Sequence, residues 1–331
     1  MNISPLEIKL INRYQGGFPL HEHPFTSMAR QLDCDEESLL QCIQQSLEAG
    51  TLTRFGPLYD AVQLGGGLTL AALSVPEARY DAVTECVNAF PQVAHNYRRE
   101  HELNMWFVLA TESTDEIDST LQAIQSACAL PVYNFPKQQE FYVGLWLHLD
   151  DSNGVATVPV PEYLKTSSAR SLSPLDSIDR KIIQHTQGGI ALTHDPWTDI
   201  ATEIGIYRQD LLRRLQRMLA NGIIRRIGAV PNHYRLGLKA NGMTVWDVPD
   251  HLATEIGQKI GQLDFVSHCY LRPRHLPQWS YNLFAMVHGH QRDEVDAKAD
   301  QIATLIQGQY HQREVLFSSA ILKKTGMRLA A

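Results

Sequence analysis

The sequence predicts an α+β fold, built as a tandem repeat of a winged helix-turn-helix followed by a ferredoxin-like βαββαβ unit. Three observations predict it. The first is an internal duplication. "QGGFPLHEHPF" (Gln15 to Phe25) returns as "QGGIALTHDPW" (Gln187 to Trp197), and "LEAGTLTRFG" (Leu47 to Gly56) returns as "LANGIIRRIG" (Leu219 to Gly228). "VAHNYRR" (Val93 to Arg99) meets "VSHCYLR" (Val266 to Arg272), and "NMWFVLA" (Asn104 to Ala110) meets "NLFAMVH" (Asn282 to His288). The second observation is that each copy opens with three helical patterns and a short strand pattern. The third is the order that follows them, which is strand, helix, strand, strand, helix, strand.

In the second copy, Asp176 to Thr186 reads as the first helix. The second helix follows Asp195 as N-cap, with Pro196 in its first turn. The third carries Leu211, Leu212, Leu215 and Leu219 at helical spacing and stops at Gly222. "IIRRIGAVPN" then reads as a β-wing, closing the first part of the copy as a hairpin. In the first copy the second part runs through "LTLAALSV", a helix after Pro76, "QVAHNYR", "LNMWFVLAT", a helix from Thr114 to Ala127, and a last strand between Pro131 and Leu147. Residues 1–57 and 173–229 are thus read as winged helix-turn-helix domains, and 58–149 and 230–331 as αβ domains. Residues 150–172, rich in Ser, Pro and Gly, read as an exposed linker. The two halves are expected to form an internal pseudo-dimer, with a homodimer open.

Composition excludes several classes. The chain has 331 residues, is 44% hydrophobic and carries a formal net charge of −7, so it lacks a global basic footprint for nucleic acid. No apolar run reaches the roughly 18 residues of a membrane span. "MNISPLEIKL" has no signal-peptide pattern, and a cytoplasmic location is expected. The five cysteines are scattered without C-x-x-C, which argues against an iron–sulfur or zinc site. "LGGGL" (Leu64 to Leu68) reads as a loop, and no phosphate loop, flavin, nicotinamide or pyridoxal signature is evident. "HEH" (His21 to His23) lies in a Pro-flanked turn whose second copy reads Thr193-His194-Asp195, so no resident metal is expected there.

A winged helix followed by a ferredoxin-like domain resembles the Lrp/AsnC family of regulators. That resemblance implies DNA binding, but fold does not settle function. The third helix of the first copy contains Asp33, Asp35, Glu36, Glu37 and Glu48 and neither Lys nor Arg. Such a face repels a polyanion. Its counterpart carries Arg208, Arg213, Arg214 and Arg217, which read either as a solvated face or as a DNA reader. One acidic and one basic reader fit a palindromic operator poorly. DNA is therefore an unexpected partner, and a transcription regulator is the second reading.

Side chains alternate along a strand. Val93, His95, Tyr97 and Arg99 should share one face, with His101 following if the strand continues. Val266, His268, Tyr270 and Arg272 should do the same in the second copy, and Asn282, Phe284, Met286 and His288 on the neighbouring strand. Helices cover one face of such a sheet, so the rows should line the other. A buried arginine needs an anionic partner or water. Two His-x-Tyr-x-Arg rows suit a ligand with several carboxylates, although polar groups at a sheet-to-sheet interface would look the same.

These strands, with "RRIGAVPNHYRLGLKANGMTVWDVP" (Arg225 to Pro249), resemble the siroheme decarboxylases over essentially the full length. The family comprises Lrp/AsnC-like proteins of heme d1 synthesis and of the alternative heme pathway, as paired small subunits or one fused chain. The first copy has "VAH" where the family leads one to expect "VSH". The second has no counterpart of His101, because "PRHLPQW" (Pro273 to Trp279) intervenes. The resemblance implies removal of the acetate carboxyl groups at C12 and C18 of siroheme as carbon dioxide, giving 12,18-didecarboxysiroheme. It implies no added cofactor, since the iron arrives with the substrate. Arg99, Arg272, Arg225 and Arg226 are then candidate carboxylate anchors. Trp106, Trp279, Tyr97 and Tyr270 are candidate walls for the macrocycle, and Asn104 and His288 complete the substrate-binding set. His95, His101 and His268 are candidate proton donors, one of which can instead ligate the substrate iron. A tetrapyrrole-binding scaffold without catalysis is a third reading.

Overall fold

The computed structural model describes residues 3–60, 62–164 and 175–324. The first copy opens with helices α1 (Pro5–Tyr14), α2 (Pro24–Gln31) and α3 (Glu36–Ala49) and strand β1 (Leu52–Tyr59). Its αβ part comprises β2 (Gly67–Leu73), α4 (Tyr80–Ala89), β3 (Val93–Arg99), β4 (Met105–Thr111), α5 (Glu116–Cys128) and β5 (Val132–Pro136). Three short strands follow, β6 (Gln139–Val143), β7 (Trp146–Leu149) and β8 (Val155–Val158). The second copy repeats the plan with α6 (Ser177–Thr186), α7 (Thr198–Ile204), α8 (Arg208–Ala220) and β9 (Ile224–Pro231). It ends with β10 (Ala240–Asp247), α9 (Ala253–Gly261), β11 (Val266–Leu271), β12 (Leu283–Gly289), α10 (Arg292–Leu305) and the long β13 (Gln312–Lys324).

The described residues fall into two compact units that cut across the repeat. One draws on 3–64 and 146–237, the other on 65–145 and 238–324. Like therefore packs with like, the two helical parts in one unit and the two αβ parts in the other.

In the helical unit the expected wing hairpins do not form. Each copy supplies one strand, and β1 pairs antiparallel with β9, with Gly56 opposite Gly228. The repeated glycines explain the pairing. Gly228 has φ 156° and its α-carbon faces the Tyr14 carbonyl so closely that a Cβ would lie 2.1 Å from it. Gly56 has φ 152°, and a Cβ there would lie 3.0 Å from the Gly189 α-carbon. Each "QGG" turn thus sits on the other copy's "RFG" or "RIG" glycine, and only glycine tolerates that backbone and approach. The strands overrun the expected domain ends, reaching Tyr59 and Pro231.

The expected linker is ordered at its start. β8 pairs with β7 across a turn in which Asp150 Oδ1 accepts the Ser152 and Gly154 amides, each at 2.8 Å. β7 is held edge-on by α1, where Asn12 and Gln15 each donate to and accept from its backbone. The compositional reading failed here because a turn-rich hairpin has the composition of a linker. The rest of that segment, 165–172, lies outside the described residues.

In the αβ unit the strand order is β5-β2-β4-β3-β13-β10-β12-β11-β6. Each copy contributes four strands in ferredoxin-like order, and each sends the chain after its fourth strand to the other. The second half of β13 pairs with β3, and β6 pairs with β11. This exchange is the isologous arrangement of a two-fold dimer made within one chain. On their outer faces the sheets pack against helices: Val83, Val87, Leu121 and Ile124 cover one, and Ile256, Ile260, Val295 and Ile302 the other. On their inner faces the two copies share a core around Trp106, Phe135, Trp279 and Phe284. Trp106 lies 5.0 Å from Phe135 and 5.0 Å from Trp279, ring centre to ring centre. Such pairs contribute roughly 0.5–1.5 kcal/mol each beyond their buried area.

Candidate functional site

The two histidine rows occupy equivalent places, β3 next to β13 and β11 next to β6. Their alternation is interrupted by a β-bulge. Val93 opposes Leu109 while His95 opposes Val108, and the same shift separates Val266 from His268. The extra residue reverses the facing, so Val93 and Val266 belong to the helix-side cores. The rows are accordingly His95-Tyr97-Arg99 and His268-Tyr270-Arg272, without the valines. Asn96 and Arg98 confirm the other face: Asn96 donates to Asn88 of α4 at 3.0 Å, and the Arg98 guanidinium sits 4.2 Å from the Tyr80 ring.

Within each row the spacings match. His95 and Tyr97 ring centres are 6.2 Å apart, His268 and Tyr270 6.0 Å. Arg99 lies 5.9 Å from the Tyr97 ring and Arg272 4.9 Å from the Tyr270 ring. Both arginines reach across the pseudo-dimer. Arg99 Nη1 donates to the Leu316 carbonyl of the second copy at 2.6 Å, and Arg272 Nη1 donates to the Phe135 carbonyl of the first.

Arg272 is electrostatically unusual. Its partners are a carbonyl and the Tyr270 and Phe284 rings, and among the described residues no carboxylate lies within ion-pair reach. Its Nε is buried without a hydrogen-bond partner. Burial pushes the guanidinium down to about 10, opposed only by Tyr270. A cation in that state lacks the anion that would offset its desolvation.

The histidines differ from one another. Burial, reinforced by the Lys324 ammonium, pushes His95 down to about 4, and its Nδ1 has no hydrogen-bond partner. His268 Nδ1 lies 2.9 Å from Ser267 Oγ. Ser267 Oγ is in turn 2.7 Å from Nε2 of the buried His288, whose Nδ1 meets Asn241 Oδ1. His101 does not extend the first row, because β3 ends at Arg99 and the chain turns. There its Nδ1 accepts the Leu103 amide at 2.9 Å, its Nε2 lies 3.4 Å from Glu314, and its ring stands edge-on to Trp279 at 5.2 Å. The insertion in the second copy carries a histidine of its own. His275 Nε2 is 2.7 Å from the Asn134 carbonyl, and its ring packs 4.7 Å from Phe135.

Several expected substrate contacts are structural. Trp106 and Trp279 are 0% and 1% exposed in the shared core, so neither presents a wall to a macrocycle. The inner faces of the two copies share one core where an open face was expected, and these rings are part of it. Asn104 clamps the Val75 peptide, accepting its N–H at 2.9 Å and donating to its C=O at 2.8 Å, and Asn282 does the same for Val248. Arg225 and Arg226 belong to the helical unit, where Arg225 pairs with Asp60 at 2.9 Å and Arg226 lies over Trp146. Tyr97 and Tyr270, both half-buried, remain as the aromatic groups beside the arginines.

The arginines of α8 are all matched by carboxylates. Arg208 pairs with Glu22 and Asp195, Arg213 with Asp210, Arg214 with Asp176, Asp179 and Asp210, and Arg217 with the fully buried Asp179. On α3, Glu36 bonds His194 at 2.8 Å. His194 also stacks on His23, and among the described residues no cluster of three potential metal ligands exists. None of the described helices is long and apolar enough to cross a membrane.

Comparison with known proteins agrees with this organisation. Residues 63–142 and 235–323 match the AsnC-like ligand binding domain, and 7–52 and 179–225 match the siroheme decarboxylase NirDL-like HTH domain. The chain is 30% identical over 322 residues to a siroheme decarboxylase of Hydrogenobacter thermophilus, covering 97% of this chain and 93% of that one. It is 52% identical over 160 residues to the siroheme decarboxylase NirH subunit of Pseudomonas aeruginosa, which covers 48% of this chain and 94% of that subunit. The crystal structure of the siroheme decarboxylase NirDL in complex with an iron-uroporphyrin III analogue superposes with a TM-score of 0.71 at 27% identity, over 99% of this chain and 94% of that one.

Proposed function

The chain belongs to the siroheme decarboxylase family, and we propose that it acts as one. It takes siroheme, removes the carboxyl groups of the C12 and C18 acetates as two molecules of carbon dioxide, and leaves methyl groups. The product, 12,18-didecarboxysiroheme, would serve heme d1 or alternative heme synthesis. No cofactor need be added, since the iron travels with the substrate.

The observation that carries this reading is Arg272, a half-buried cation whose Nε is fully buried and unpaired, with no carboxylate within ion-pair reach among the described residues. A carboxylate-rich ligand supplies what it lacks. Charge-assisted bonds from guanidinium to carboxylate are about twice as strong as neutral ones. Arg99 holds the equivalent position in the other row. With some carboxylates anchored, the acetate to be cleaved loses carbon dioxide. The bonding pair stays on its CH₂ carbon, and a proton from an imidazole completes the methyl group. Of the three candidate donors, His268 is set in a polar chain, whereas burial holds His95 neutral at pH 7 and the Leu103 amide occupies Nδ1 of His101.

The regulator reading has less support, because the α8 arginines already face carboxylates. Incubation with siroheme under anaerobic conditions, followed by absorption spectra and product mass, tests the proposal. Loss of two carbon dioxides per siroheme is expected. A spectral shift with unchanged mass would reduce the protein to a binding scaffold. Retardation assays on the chain's own promoter should show at most weak, salt-sensitive binding.

A further inference from the structure

We infer that Ser267, His288 and Asn241 are positioning residues that fix the tautomer of His268, so that its Nε2 is the atom that carries the proton to substrate. The inference deepens the proposed decarboxylation and rests on it for the role of the proton, but not for the tautomer itself.

The direction of each bond follows from what each atom can do. Asn241 Nδ2 faces the carbonyls of Leu238 and Lys239, both at 3.4 Å. Carbonyls only accept, so the amide NH₂ belongs there and Oδ1 faces His288. An amide oxygen also only accepts, so His288 Nδ1 holds a hydrogen and donates it. In the neutral ring Nε2 then bears a lone pair, and the Ser267 hydroxyl donates to it at 2.7 Å. The Met286 carbonyl is a longer alternative for that hydroxyl, at 3.4 Å. Ser267 Oγ is left to accept from His268 Nδ1 at 2.9 Å. His268 is therefore the Nδ1–H tautomer when neutral, and its exchangeable proton, when charged, is on Nε2.

The backbone explains why a serine can do this. The bulge between Val266 and His268 leaves Val266 in the helix-side core while Ser267 reaches His288, which lies on the inner face with Phe284 and Met286. Ser267, His288 and Asn241 are 2%, 4% and 5% exposed, so water does not compete for their bonds.

The chemistry uses the same tautomer. When the C–C bond of the acetate breaks, carbon dioxide leaves and the electron pair remains on the CH₂ carbon. That carbon takes the proton from Nε2 of the His268 imidazolium and becomes a methyl. The imidazole left behind is neutral with hydrogen on Nδ1, the form that Ser267 accepts from. Solvent reprotonates Nε2 before the next cycle.

The first copy supplies an internal contrast. The strand registers place Ala94 where Ser267 stands, Ala110 where His288 stands and Leu68 where Asn241 stands. All three polar positions are apolar there, and His95 Nδ1 has no hydrogen-bond partner.

Two measurements test the inference. In the full chain with ¹⁵N-labelled histidine, two-bond ¹H–¹⁵N correlation reads the His268 tautomer, assigned with His268→Gln. The wild-type ring should be Nδ1–H and should become mixed or Nε2–H in Ser267→Ala and His288→Leu. In turnover of siroheme, Ser267→Ala should lower kcat by about 10–100-fold, the range seen when the hydrogen bond that orients a metal-bound histidine is lost. Affinity from absorption titration should stay within about twofold, the pH profile of kcat should shift, and Ser267→Thr, which keeps the hydroxyl, should recover most of the rate. An unchanged tautomer in both variants, or an unchanged kcat in a folded Ser267→Ala, overturns the inference. A wild-type chain that leaves siroheme intact would overturn the proposed function, and the tautomer measurement would still decide the positioning.

Discussion

The β3 and β11 rows share residues, spacing and reciprocal arginine contacts, yet their histidines sit in opposite surroundings. His268 ends a buried polar chain through Ser267, His288 and Asn241. In the first copy all three equivalent positions are apolar, and burial, with the Lys324 cation, holds His95 at about 4. Duplication preserved the frame that aims the rows, while the groups that set protonation diverged behind it. The lesson is that equal geometry does not make equal chemistry, since the protonation state of an imidazole is decided by what its second nitrogen touches.

His268→Ala should lower kcat by about 10²–10⁴-fold, the usual range for a lost general acid. Siroheme affinity, from anaerobic absorption titration, should change little, because binding is spread over many carboxylates and a large ring. His95→Ala should lower kcat far less. If the two variants lose the same rate, the polar chain is structural and the proton has another source, such as Tyr97, Tyr270 or water.

Next in size is a difference between binding and stability at Arg272. Arg272→Met should weaken siroheme binding by roughly 1.5–3 kcal/mol per lost charge-assisted bond. The ligand-free protein should keep its melting temperature or gain, because the substitution replaces a desolvated cation by an apolar chain of similar length. Full affinity would show that this guanidinium is not an anchor. A large drop in melting temperature without ligand would show that the Phe135 carbonyl and the rings are its real partners.

Much of this organisation was legible in the chain. The duplicated blocks, the element order and the two His-Tyr-Arg rows could be read because helix and strand periods are local. So could the clue to the asymmetry, since "VAH" against "VSH" is the Ala94–Ser267 difference that begins or omits the polar chain. What could not be read depends on contacts between copies. The β1–β9 pairing that replaces two wings, the crossing of β13 and β6, and the burial of Trp106 and Trp279 between sheets all join residues far apart in sequence. The bulges escaped because strict alternation assumes one residue per register step, and one extra residue removed Val93 and Val266 from the rows. Asn104 looked like a ligand contact because a half-buried amide that clamps a neighbouring peptide is the same residue type as one that binds substrate.

In the first copy the surroundings of His95 should show in stability. His95 is held at about 4 in the folded protein, chiefly by burial and then by Lys324, against about 6.5 for a solvated imidazole. Above pH 6.5 the ring is neutral whether the chain is folded or not, and its contribution to stability is fully present. Between 6.5 and 4 the unfolded chain binds a proton that the folded chain excludes, so stability falls as the pH falls. His95→Phe removes that proton from the balance. The melting temperature of the variant, relative to the wild type, should therefore rise by a few degrees as the pH is lowered from 7 to 5, while carboxylate titration common to both chains cancels in the difference. Melting curves measured in parallel by circular dichroism are sufficient. A difference that stays flat across this range would mean that His95 accepts a proton in the folded state, and the two rows would then be closer in character than their surroundings imply.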